Sequence, residues 1–354
     1  MRGIPVYVGT YTNDPAEGIY HLRLDPASGA LEAAGATKPV ANPFFLRADS
    51  RRRRLYATTG PDESSTDPAG GVIAFAIDPG SGALTRLNQQ SSEGAMPCYL
   101  DLTADGRSLL VGNYTSGSVA LLPVDADGRL QPASCTIQHQ GSGADPSRQE
   151  GPHVHSVVLD PAGHLAFAAD LGTDQIMAYR LDAGALTAAN PPFARVQAGA
   201  GPRHLAFHPN QRFAYLANEL DNTFSVFAYD ASRGALSAIQ TISMLPAGHA
   251  GTAYAADLKI LPSGDFLYGS NREHNSIVIC RIDPGTGRLA LVGHQPCPAW
   301  PWNLAIDPSG AILLAACQRA DCVVSYRIDC QTGGLAPTGH QVSVPKPVCL
   351  EMLR

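Results

Sequence analysis

One pattern recurs seven times along the chain and limits the folds that the chain can adopt. Each copy has an alternating apolar stretch that ends in Asp, a short turn that contains Gly, and a Leu that begins the next stretch. The Asp residues lie 46 to 57 residues apart, at Asp25, Asp78, Asp125, Asp182, Asp230, Asp283 and Asp329. Because Asp accepts hydrogen bonds from turn amides and Gly adopts positive φ, each copy predicts a β-hairpin.

A second hairpin pattern precedes most copies of the first. Two apolar runs separated by a turn signal occur in residues 100–113, 155–170, 205–218, 258–271 and 304–318. Two hairpins per repeat make four strands in about 50 residues, which is the size of one propeller blade. The sequence therefore predicts an all-β fold, a seven-bladed β-propeller with four-stranded blades, as one domain over residues 1–354. A β-solenoid or a β-sandwich is the structural alternative.

The two ends of the chain supply the hairpin that is missing from its middle. Residues 347–351, Pro-Val-Cys-Leu-Glu, resemble the first strand of an inner hairpin. Residues 6–10, Val-Tyr-Val-Gly-Thr, resemble the second. We therefore expect one blade to be shared between the N- and C-termini, an arrangement that closes the ring and removes two exposed sheet edges.

Charge and cysteine content argue against several classes of function. The formal net charge is −6, and the one basic run, Arg51 to Arg54, lies between two strand patterns and predicts a solvated turn. We therefore expect no binding to nucleic acid and no membrane association. The eight cysteines contain no Cys-x-x-Cys spacing, and the first residues lack the apolar run of a secretory signal. These features predict a cytoplasmic protein with reduced thiols and without a zinc site.

The blade geometry predicts where a functional site would lie. The start of the first strand and the end of the second lie at the same face of a blade, close to the central axis. Polar side chains occupy these strand ends in several repeats, whereas the opposite face receives the Asp-Gly turns. The strand-end residues are His153, His155, Arg203, His204, Asn113, Asn218, Glu219, Asn271, Arg272 and Gln318. We expect them to gather at one mouth of the channel.

The residue types at this mouth suit acid–base chemistry on an anionic ester or lactone. Two guanidinium groups bind a carboxylate or a phosphate through charge-assisted hydrogen bonds. A Glu or a His takes a proton from water or from a substrate carbon, and a nearby cation stabilises negative charge that develops on a carbonyl oxygen. No Gly-x-Ser-x-Gly motif, phosphate-binding loop or dinucleotide fingerprint occurs in the sequence. We therefore expect neither a covalent serine intermediate nor a cofactor.

The sequence resembles the seven-bladed lactonase family, which includes the propeller-type 6-phosphogluconolactonases and is related to fungal carboxymuconate cyclases. The matching segments extend over nearly the whole chain; they are residues 7–12, 113–114, 148–155, 170–174, 199–204, 218–220 and 270–272. The resemblance implies a metal-independent lactonase whose catalytic residues are His155, Arg203, Glu219 and Arg272. The other strand-end residues, predicted to bind substrate, are His153, His204, Asn113, Asn218, Asn271 and Gln318.

The resemblance also implies a reaction, the hydrolysis of 6-phospho-D-glucono-1,5-lactone to 6-phosphogluconate in the pentose phosphate pathway. A small anionic lactone would be the partner of the protein, and we expect a monomer or a weak homodimer. Open alternatives are a lactonising isomerase or lactonase for another carboxylated lactone such as a muconolactone, and a non-catalytic scaffold. The seven repeats and the lack of a carboxylate trio disfavour a calcium-dependent lactonase. Either Glu219 or His155 would serve as the base.

The longest polar stretch of the chain, residues 138–150, precedes the strand that contains His155. Its composition predicts either a lid or rim over the mouth, or a plain loop between two blades. Asp170 and Asp174 lie in the neighbouring motif, where we expect them to order loops rather than to bind a metal ion.

Overall fold

A computed structural model describes residues 3–12, 15–61, 70–182 and 184–353. Within these ranges, 28 strands form seven antiparallel sheets of four strands each, and the one helical element is a 3-10 turn over Gln318–Ala320. The predicted all-β fold with seven four-stranded blades is confirmed. No helix in the described ranges is long and apolar enough to cross a membrane.

The seven innermost strands contact one another around the central channel and line it. For blades 1 to 7 they are β4 (Leu46–Asp49), β8 (Pro97–Leu102), β12 (Val154–Leu159), β16 (Pro202–Phe207), β20 (Tyr254–Ile260), β24 (Pro301–Ile306) and β28 (Pro347–Met352). The second strands are β5 (Arg54–Thr59), β9 (Ser108–Asn113), β13 (Leu165–Asp170), β17 (Phe213–Asn218), β21 (Phe266–Arg272), β25 (Ile312–Cys317) and β1 (Ile4–Thr10).

The outer half of each blade corresponds to the recurring hairpin of the sequence. The third strands are β6 (Gly71–Ile77), β10 (Ser118–Pro123), β14 (Gln175–Asp182), β18 (Thr223–Asp230), β22 (Ser276–Ile282), β26 (Cys322–Ile328) and β2 (Ile19–Leu24). The outermost strands are β7 (Leu84–Ser91), β11 (Cys135–Gln138), β15 (Ala185–Arg195), β19 (Ala235–Ser243), β23 (Leu289–Pro296), β27 (Leu335–Ser343) and β3 (Leu31–Thr37).

Blade 7 is shared between the two ends of the chain, as predicted. Strand β28 pairs antiparallel with β1, so that Leu350 lies opposite Val8 and Glu351 lies opposite Tyr7. Strands β2 and β3 complete the sheet in the order β28-β1-β2-β3. The ring is thus closed by backbone hydrogen bonds between the first and the last strand of the chain.

The turns between third and fourth strands have the predicted chemistry. Oδ1 of Asp78, for example, accepts the backbone N–H groups of Gly80 at 3.0 Å and Ser81 at 2.7 Å. The Gly that ends this turn, Gly82, has a φ of 78°, and its carbonyl accepts the hydroxyl of Tyr7 from the neighbouring blade at 2.8 Å. The Asp-Gly turns therefore also connect one blade to the next, at the face opposite the strand-end residues.

The basic run forms the predicted turn, between β4 and β5. Arg51 and Arg53 are exposed. Nη1 of Arg52 donates to the carbonyl of Gly106 at 2.6 Å, and Nε of Arg54 donates to the carbonyl of Asp127 at 2.8 Å, both in blade 2. The run therefore binds main-chain oxygens of a neighbouring blade.

The hydrophobic core is divided among the interfaces between neighbouring blades. Each of its seven clusters draws side chains from two adjacent blades, such as Phe224 of blade 4 with Leu267 and Val278 of blade 5. Each blade is therefore covered on both faces by its neighbours, and burial of its apolar side chains requires the ring. This packing fixes the inner strand ends that carry the site.

Candidate active site

Two cavities lie along the central channel. The upper cavity, of about 160 Å³, opens at the face where the innermost strands begin, and the lower cavity, of about 700 Å³, opens at the opposite face. Phe45, His204 and Asn303 line both and form the floor between them. Tyr99 stacks on Phe45 with ring centroids 4.1 Å apart and thickens this floor.

The four residues predicted to be catalytic all line the upper cavity. The structure therefore brings together side chains that lie up to 117 positions apart in the sequence, from His155 to Arg272. Among the residues that the structure describes, the lining is Tyr11, Phe44, Phe45, Met96, Cys98, Tyr114, Arg148, His155, Arg203, His204, Glu219, Arg272, Trp302, Asn303 and Val348.

A β-bulge near the start of the innermost strand directs several of these side chains into the cavity. The pairing of β12 with β13 skips His155, and the pairing of β16 with β17 skips Arg203. In the same way, the pairing of β8 with β9 leaves out Cys98, and the pairing of β24 with β25 leaves out Trp302. A bulge inserts one unpaired residue and re-aims its side chain relative to the strand alternation. A repeated feature of the blades thus presents a different functional group from each blade.

The corresponding bulge of β20 provides backbone acceptors. Its pairing with β21 is interrupted between Ala255 and Leu258. The carbonyl of Ala256 accepts Nη1 of Arg203, and the carbonyl of Ala255 accepts Nη2 of Arg272 at 3.0 Å. These hydrogen bonds hold two buried guanidinium groups in place beside Glu219.

Glu219 lies at the centre of a charged group that we name the Glu219 cluster; its members are Glu219, Arg148, Arg203, Arg272 and His155. Oε2 of Glu219 accepts Nε of Arg203 at 2.9 Å and lies 2.8 Å from Nη2 of Arg272. Oε1 accepts Nη2 of Arg148 at 2.6 Å. Nε2 of His155 lies 3.7 Å from Oε2. One carboxylate is thus shared by three guanidinium groups and faces one imidazole.

The Glu219 cluster has a net positive charge. Burial by itself raises the pKa of a carboxyl group, but the charges of Arg272 and Arg203 outweigh burial and hold the pKa of Glu219 well below its usual range. Burial, followed by the charge of Arg272, lowers the pKa of Arg203 to about 10, so this residue is still protonated at pH 7. Three cations and one carboxylate therefore leave two positive charges that no carboxylate of the cluster balances.

His155 is the neutral member of the cluster. Burial, followed by the charge of Arg203, lowers the pKa of His155 well below its usual value of about 6.5, so the imidazole is able to accept a proton at pH 7. Its Nδ1 lies 3.9 Å from Sγ of Cys98. Burial raises the pKa of the Cys98 thiol to about 12, which keeps it protonated and makes it a poor nucleophile at pH 7.

Aromatic rings surround the guanidinium of Arg272. Its Cζ lies 4.8 Å from the ring centroid of Trp302, 5.6 Å from that of Trp300 and 5.8 Å from that of Tyr254. Trp300 and Trp302 are the two tryptophans of the sequence. Nε of Arg272 is buried and has no hydrogen-bond partner. The cation is therefore held by rings on several sides.

A second charged group, which we name the Asp257 cluster, includes part of the floor and extends below it; its members are Asp257, His204, Lys259 and Asn303. Oδ1 of Asp257 lies 2.8 Å from Nδ1 of His204, and Oδ2 accepts Nζ of Lys259 at 2.6 Å and Nδ2 of Asn303 at 2.7 Å. Burial opposes ionisation of Asp257, but Lys259 and His204 outweigh it and hold the pKa below its usual range. Burial lowers the pKa of His204 to about 4. The cluster is therefore neutral overall at pH 7.

Three predicted substrate-binding asparagines do not line the upper cavity. Nδ2 of Asn113 donates to Oγ of Ser118 at 3.1 Å, and Nδ2 of Asn271 donates to the carbonyl of Met244 at 2.9 Å. Asn218 makes similar bonds within its own blade, to Thr223 and Ser225. The strand-end position of these residues is as expected, but their amides bond to neighbouring turns and strands. These bonds hold the local fold, and a role of the three residues in substrate binding stays a prediction.

The other three predicted binding residues differ in their positions. His204 lies in the floor, where its imidazole bonds to Asp257. His153 lies outside the lining and stacks on Tyr114 with ring centroids 4.7 Å apart. Gln318 begins the 3-10 turn, also outside the lining. Of this group, His204 alone borders the upper cavity.

Arg148 is a member of the cluster that the strand-end argument missed, because it lies in the loop before β12 rather than at a strand end. The available signals were the polar stretch of residues 138–150 and the family motif that begins at Arg148. The next residue, Gln149, is fully buried, and its Nε2 donates to the carbonyl of Leu171 at 2.7 Å and to Oδ1 of Asp174 at 2.8 Å. The segment thus forms a rim of the cavity, while its closure as a lid stays a prediction.

Asp170 and Asp174 order loops, as predicted. Oδ1 of Asp170 accepts the backbone N–H of His153 at 2.8 Å. The carboxylate of Asp174 accepts the backbone N–H groups of Gly199 at 2.7 Å and Gly201 at 2.9 Å. Among the residues that the structure describes, no three His, Cys, Asp or Glu side chains are grouped as ligands for a metal ion.

Comparison with known proteins identifies a family to which this sequence is similar. The sequence pattern of the family "Lactonase, 7-bladed beta-propeller" matches residues 5–352. The 6-phosphogluconolactonase of Bacillus subtilis is 35% identical over 349 residues, which are 98% of this chain and 97% of that protein. The 6-phosphogluconolactonase of Pectobacterium atrosepticum is 34% identical over 77% of this chain and 74% of its own length.

A solved structure has the same architecture. The periplasmic gluconolactonase of Pseudomonas aeruginosa superposes on this chain with a TM-score of 0.93. The two sequences are 35% identical, and the superposition covers 99% of each chain. The likeness extends through all seven blades and through both halves of the shared blade.

Proposed function

The chain belongs to the seven-bladed β-propeller lactonase family, and we propose that it hydrolyses 6-phospho-D-glucono-1,5-lactone to 6-phosphogluconate. The net charge of the Glu219 cluster supports this choice of substrate, because three guanidinium groups face one carboxylate. A phosphate monoester has a charge of about −1.5 to −2 at pH 7 and complements the two unbalanced positive charges. The reaction is a step of the pentose phosphate pathway.

In this proposal the neutral imidazole of His155 removes a proton from the attacking water. The water oxygen adds to the carbonyl carbon of the lactone, and the carbonyl oxygen becomes negatively charged. Arg203 and Arg272, which the main chain of β20 already holds in place, stabilise that oxygen without reorganising. The bond between the carbonyl carbon and the ring oxygen then breaks, and the imidazolium returns its proton to the ring oxygen. The product acid ionises in water.

His155 is better suited to act as the base than Glu219. Both oxygens of Glu219 are occupied by guanidinium groups, and protonation would weaken these ion pairs. The imidazole of His155 instead gains an ion pair with Glu219 when it accepts a proton. The proposed task of Glu219 is to orient Arg203 and Arg272. It would also stabilise the imidazolium that forms 3.7 Å away during the reaction.

A carboxylated lactone such as a muconolactone is the second candidate substrate. Guanidinium groups bind a carboxylate through the same paired hydrogen bonds as a phosphate, which is the observation that favours it. In that case His155 would remove a carbon-bound proton in a lactonising isomerase, or activate water in a lactonase. The second candidate uses the same residues and differs in the anion at the cavity mouth.

The two candidates are separated by initial rates on freshly generated 6-phosphogluconolactone and on muconolactone, with chelator present and the spontaneous reaction subtracted. The first proposal expects clear acceleration of 6-phosphogluconolactone opening that the chelator does not reduce. Preferential turnover of muconolactone would select the second candidate. A folded protein that accelerates neither reaction would refute both.

A further inference from the structure

The three arginines that contact Glu219 differ in their surroundings. The side chains of Arg203 and Arg272 are 1% and 7% exposed, whereas that of Arg148 is 34% exposed. Arg203 and Arg272 also donate to main-chain carbonyls of β20. The guanidinium of Arg148 donates to side chains, Glu219 at 2.6 Å and the hydroxyl of Tyr114 at 3.3 Å. Arg148 is therefore the cation of the cluster that changes partner at the lowest cost.

The two sides of the Glu219 carboxylate are occupied differently. Oε2 lies against Arg203 and Arg272, while Oε1 accepts Arg148. If Arg148 moves to another anion, Glu219 keeps its two buried partners. The loss of one of three cations therefore does not leave a buried carboxylate unpaired.

The loop that carries Arg148 is fixed without the help of its guanidinium. Backbone N–H of Gln149 donates to the carbonyl of Asp145 at 2.7 Å, and backbone N–H of Gly143 donates to the carbonyl of Gln149 at 2.9 Å. The buried amide of Gln149 adds the bonds to Leu171 and Asp174. The main chain thus holds Arg148 at the cavity mouth while its side chain is able to exchange partners.

We propose that Arg148 is the residue that selects a phosphorylated lactone over an unphosphorylated one. It releases Oε1 of Glu219 and binds the phosphate group of the substrate, while Arg203 and Arg272 stay at the lactone carbonyl. A phosphate dianion is strongly hydrated, so its binding at the partly exposed arginine of the rim costs less desolvation than binding at the buried pair. This inference rests on the proposed function and adds to it the residue that discriminates between substrates.

The selectivity is measured first by binding, without turnover. Trp300 and Trp302, the two tryptophans of the sequence, both lie against Arg272, so intrinsic fluorescence reports on ligand in the upper cavity. The wild-type protein, Arg148→Gln and Arg148→Lys are titrated with 6-phosphogluconate and with gluconate. Lys38→Gln is the matched control, because Lys38 forms an exposed ion pair with Glu17 at the same face of the propeller.

Arg148→Gln is expected to weaken binding of 6-phosphogluconate by about 10- to 100-fold, the value of one charge-assisted hydrogen bond to phosphate. Binding of gluconate is expected to change by less than about threefold, because gluconate lacks the group that Arg148 binds. Arg148→Lys keeps the charge without the planar donor pair and is expected to fall in between. Lys38→Gln is expected to bind both ligands as the wild type does.

Equal weakening of both ligands by Arg148→Gln, or no weakening of either, overturns the inference. Thermal unfolding of each variant checks that the loop and the ring are intact. Turnover then separates the inference from the function on which it rests. If the wild type binds 6-phosphogluconate with Arg148-dependent selectivity but does not hydrolyse its lactone, the proposed reaction is wrong and the phosphate-selecting role of Arg148 stands.

Discussion

Glu219 and Asp257 are both buried carboxylates beside the channel, and their partners differ. Asp257 is met by one cation, Lys259, together with the neutral groups of His204 and Asn303, so its cluster has no net charge. Glu219 is met by three guanidinium groups, so its cluster has two unbalanced positive charges. Both carboxylates have a pKa below the usual range, which reflects their cations outweighing burial.

The difference in net charge between the two clusters indicates that one has a role in folding and the other in binding. A buried polar group whose hydrogen bonds and charges are satisfied contributes to a single native arrangement. A buried group of cations with too few anions is costly by itself and becomes favourable when an anionic ligand arrives. The Glu219 cluster is of this second kind, since Arg148, Arg203 and Arg272 share one carboxylate. We infer that the Asp257 cluster holds the floor and that the Glu219 cluster binds the substrate.

The largest effect is expected from the histidines next to the two clusters. His155→Gln removes the proposed base and is expected to lower kcat by about 10²- to 10⁴-fold, with KM changing much less. His204→Gln, in the neutral cluster, is expected to lower kcat by less than about tenfold, because the ring nitrogens of His204 already contact Asp257 and Arg203 and are not the proposed base. Steady-state kinetics on 6-phosphogluconolactone measures both. Similar losses of kcat in the two variants would remove the distinction between the clusters.

The next effect concerns stability. Asp257→Asn weakens the buried hydrogen bonds to His204 and Asn303 and is expected to lower the free energy of unfolding by about 1–3 kcal/mol. Glu17→Gln breaks an exposed ion pair with Lys38 and is expected to leave stability nearly unchanged. Chemical denaturation of the two variants provides the comparison. An Asp257→Asn protein as stable as Glu17→Gln would show that the floor does not depend on this cluster.

The third effect is the stabilisation of the folded protein by its proposed product. If the Glu219 cluster binds the phosphorylated product, 6-phosphogluconate at 100 times its Kd is expected to stabilise the folded protein by about 2.7 kcal/mol. The increment is expected to be the same in Asp257→Asn, because the lower cluster does not take part in binding. Thermal or chemical unfolding with and without the product measures it. If the increment disappears in Asp257→Asn, the anion binds at the Asp257 cluster and not at the Glu219 cluster.

The smallest expected effect is a pH dependence. A base must be unprotonated, so activity is lost as pH falls through the pKa of His155, which burial and Arg203 place below about 6.5. After subtraction of the spontaneous reaction, kcat/KM is therefore expected to be flat between about pH 6.5 and 8. Unphosphorylated glucono-1,5-lactone is the control substrate, because a phosphate ester itself titrates near pH 6. An acid limb centred at pH 7 or above on both substrates would contradict His155 as the base.

The sequence was sufficient to predict the fold, for a physical reason. A propeller repeats one hairpin pattern, so seven copies and two complementary chain ends specified the blade count and the shared blade. Position at the strand ends also predicted that four residues lie at one mouth, where the structure has them: His155, Arg203, Glu219 and Arg272. Their proposed roles in catalysis stay predictions that the experiments above test.

Other parts of the site were not predictable from strand position. The bulge that turns Cys98 into the cavity depends on the register between two strands, which the sequence pattern does not specify. Arg148 reaches Glu219 from a loop whose path is set by tertiary contacts of Gln149. Asn113 sits at a predicted strand end but bonds to its own hairpin. Position at a strand end thus predicts proximity to the axis and not the direction of the side chain.

The most direct test of the account compares the two carboxylates in one assay. The initial rate of 6-phosphogluconolactone hydrolysis is measured at pH 7, with chelator, for the wild type, Glu219→Gln and Asp257→Asn, and is divided by the folded fraction of each protein. The account predicts a wild-type rate well above the spontaneous one, a loss of at least about 10²-fold in Glu219→Gln, and a loss of less than about tenfold in Asp257→Asn. A wild-type rate equal to the spontaneous rate, or equal losses in the two variants, would contradict it.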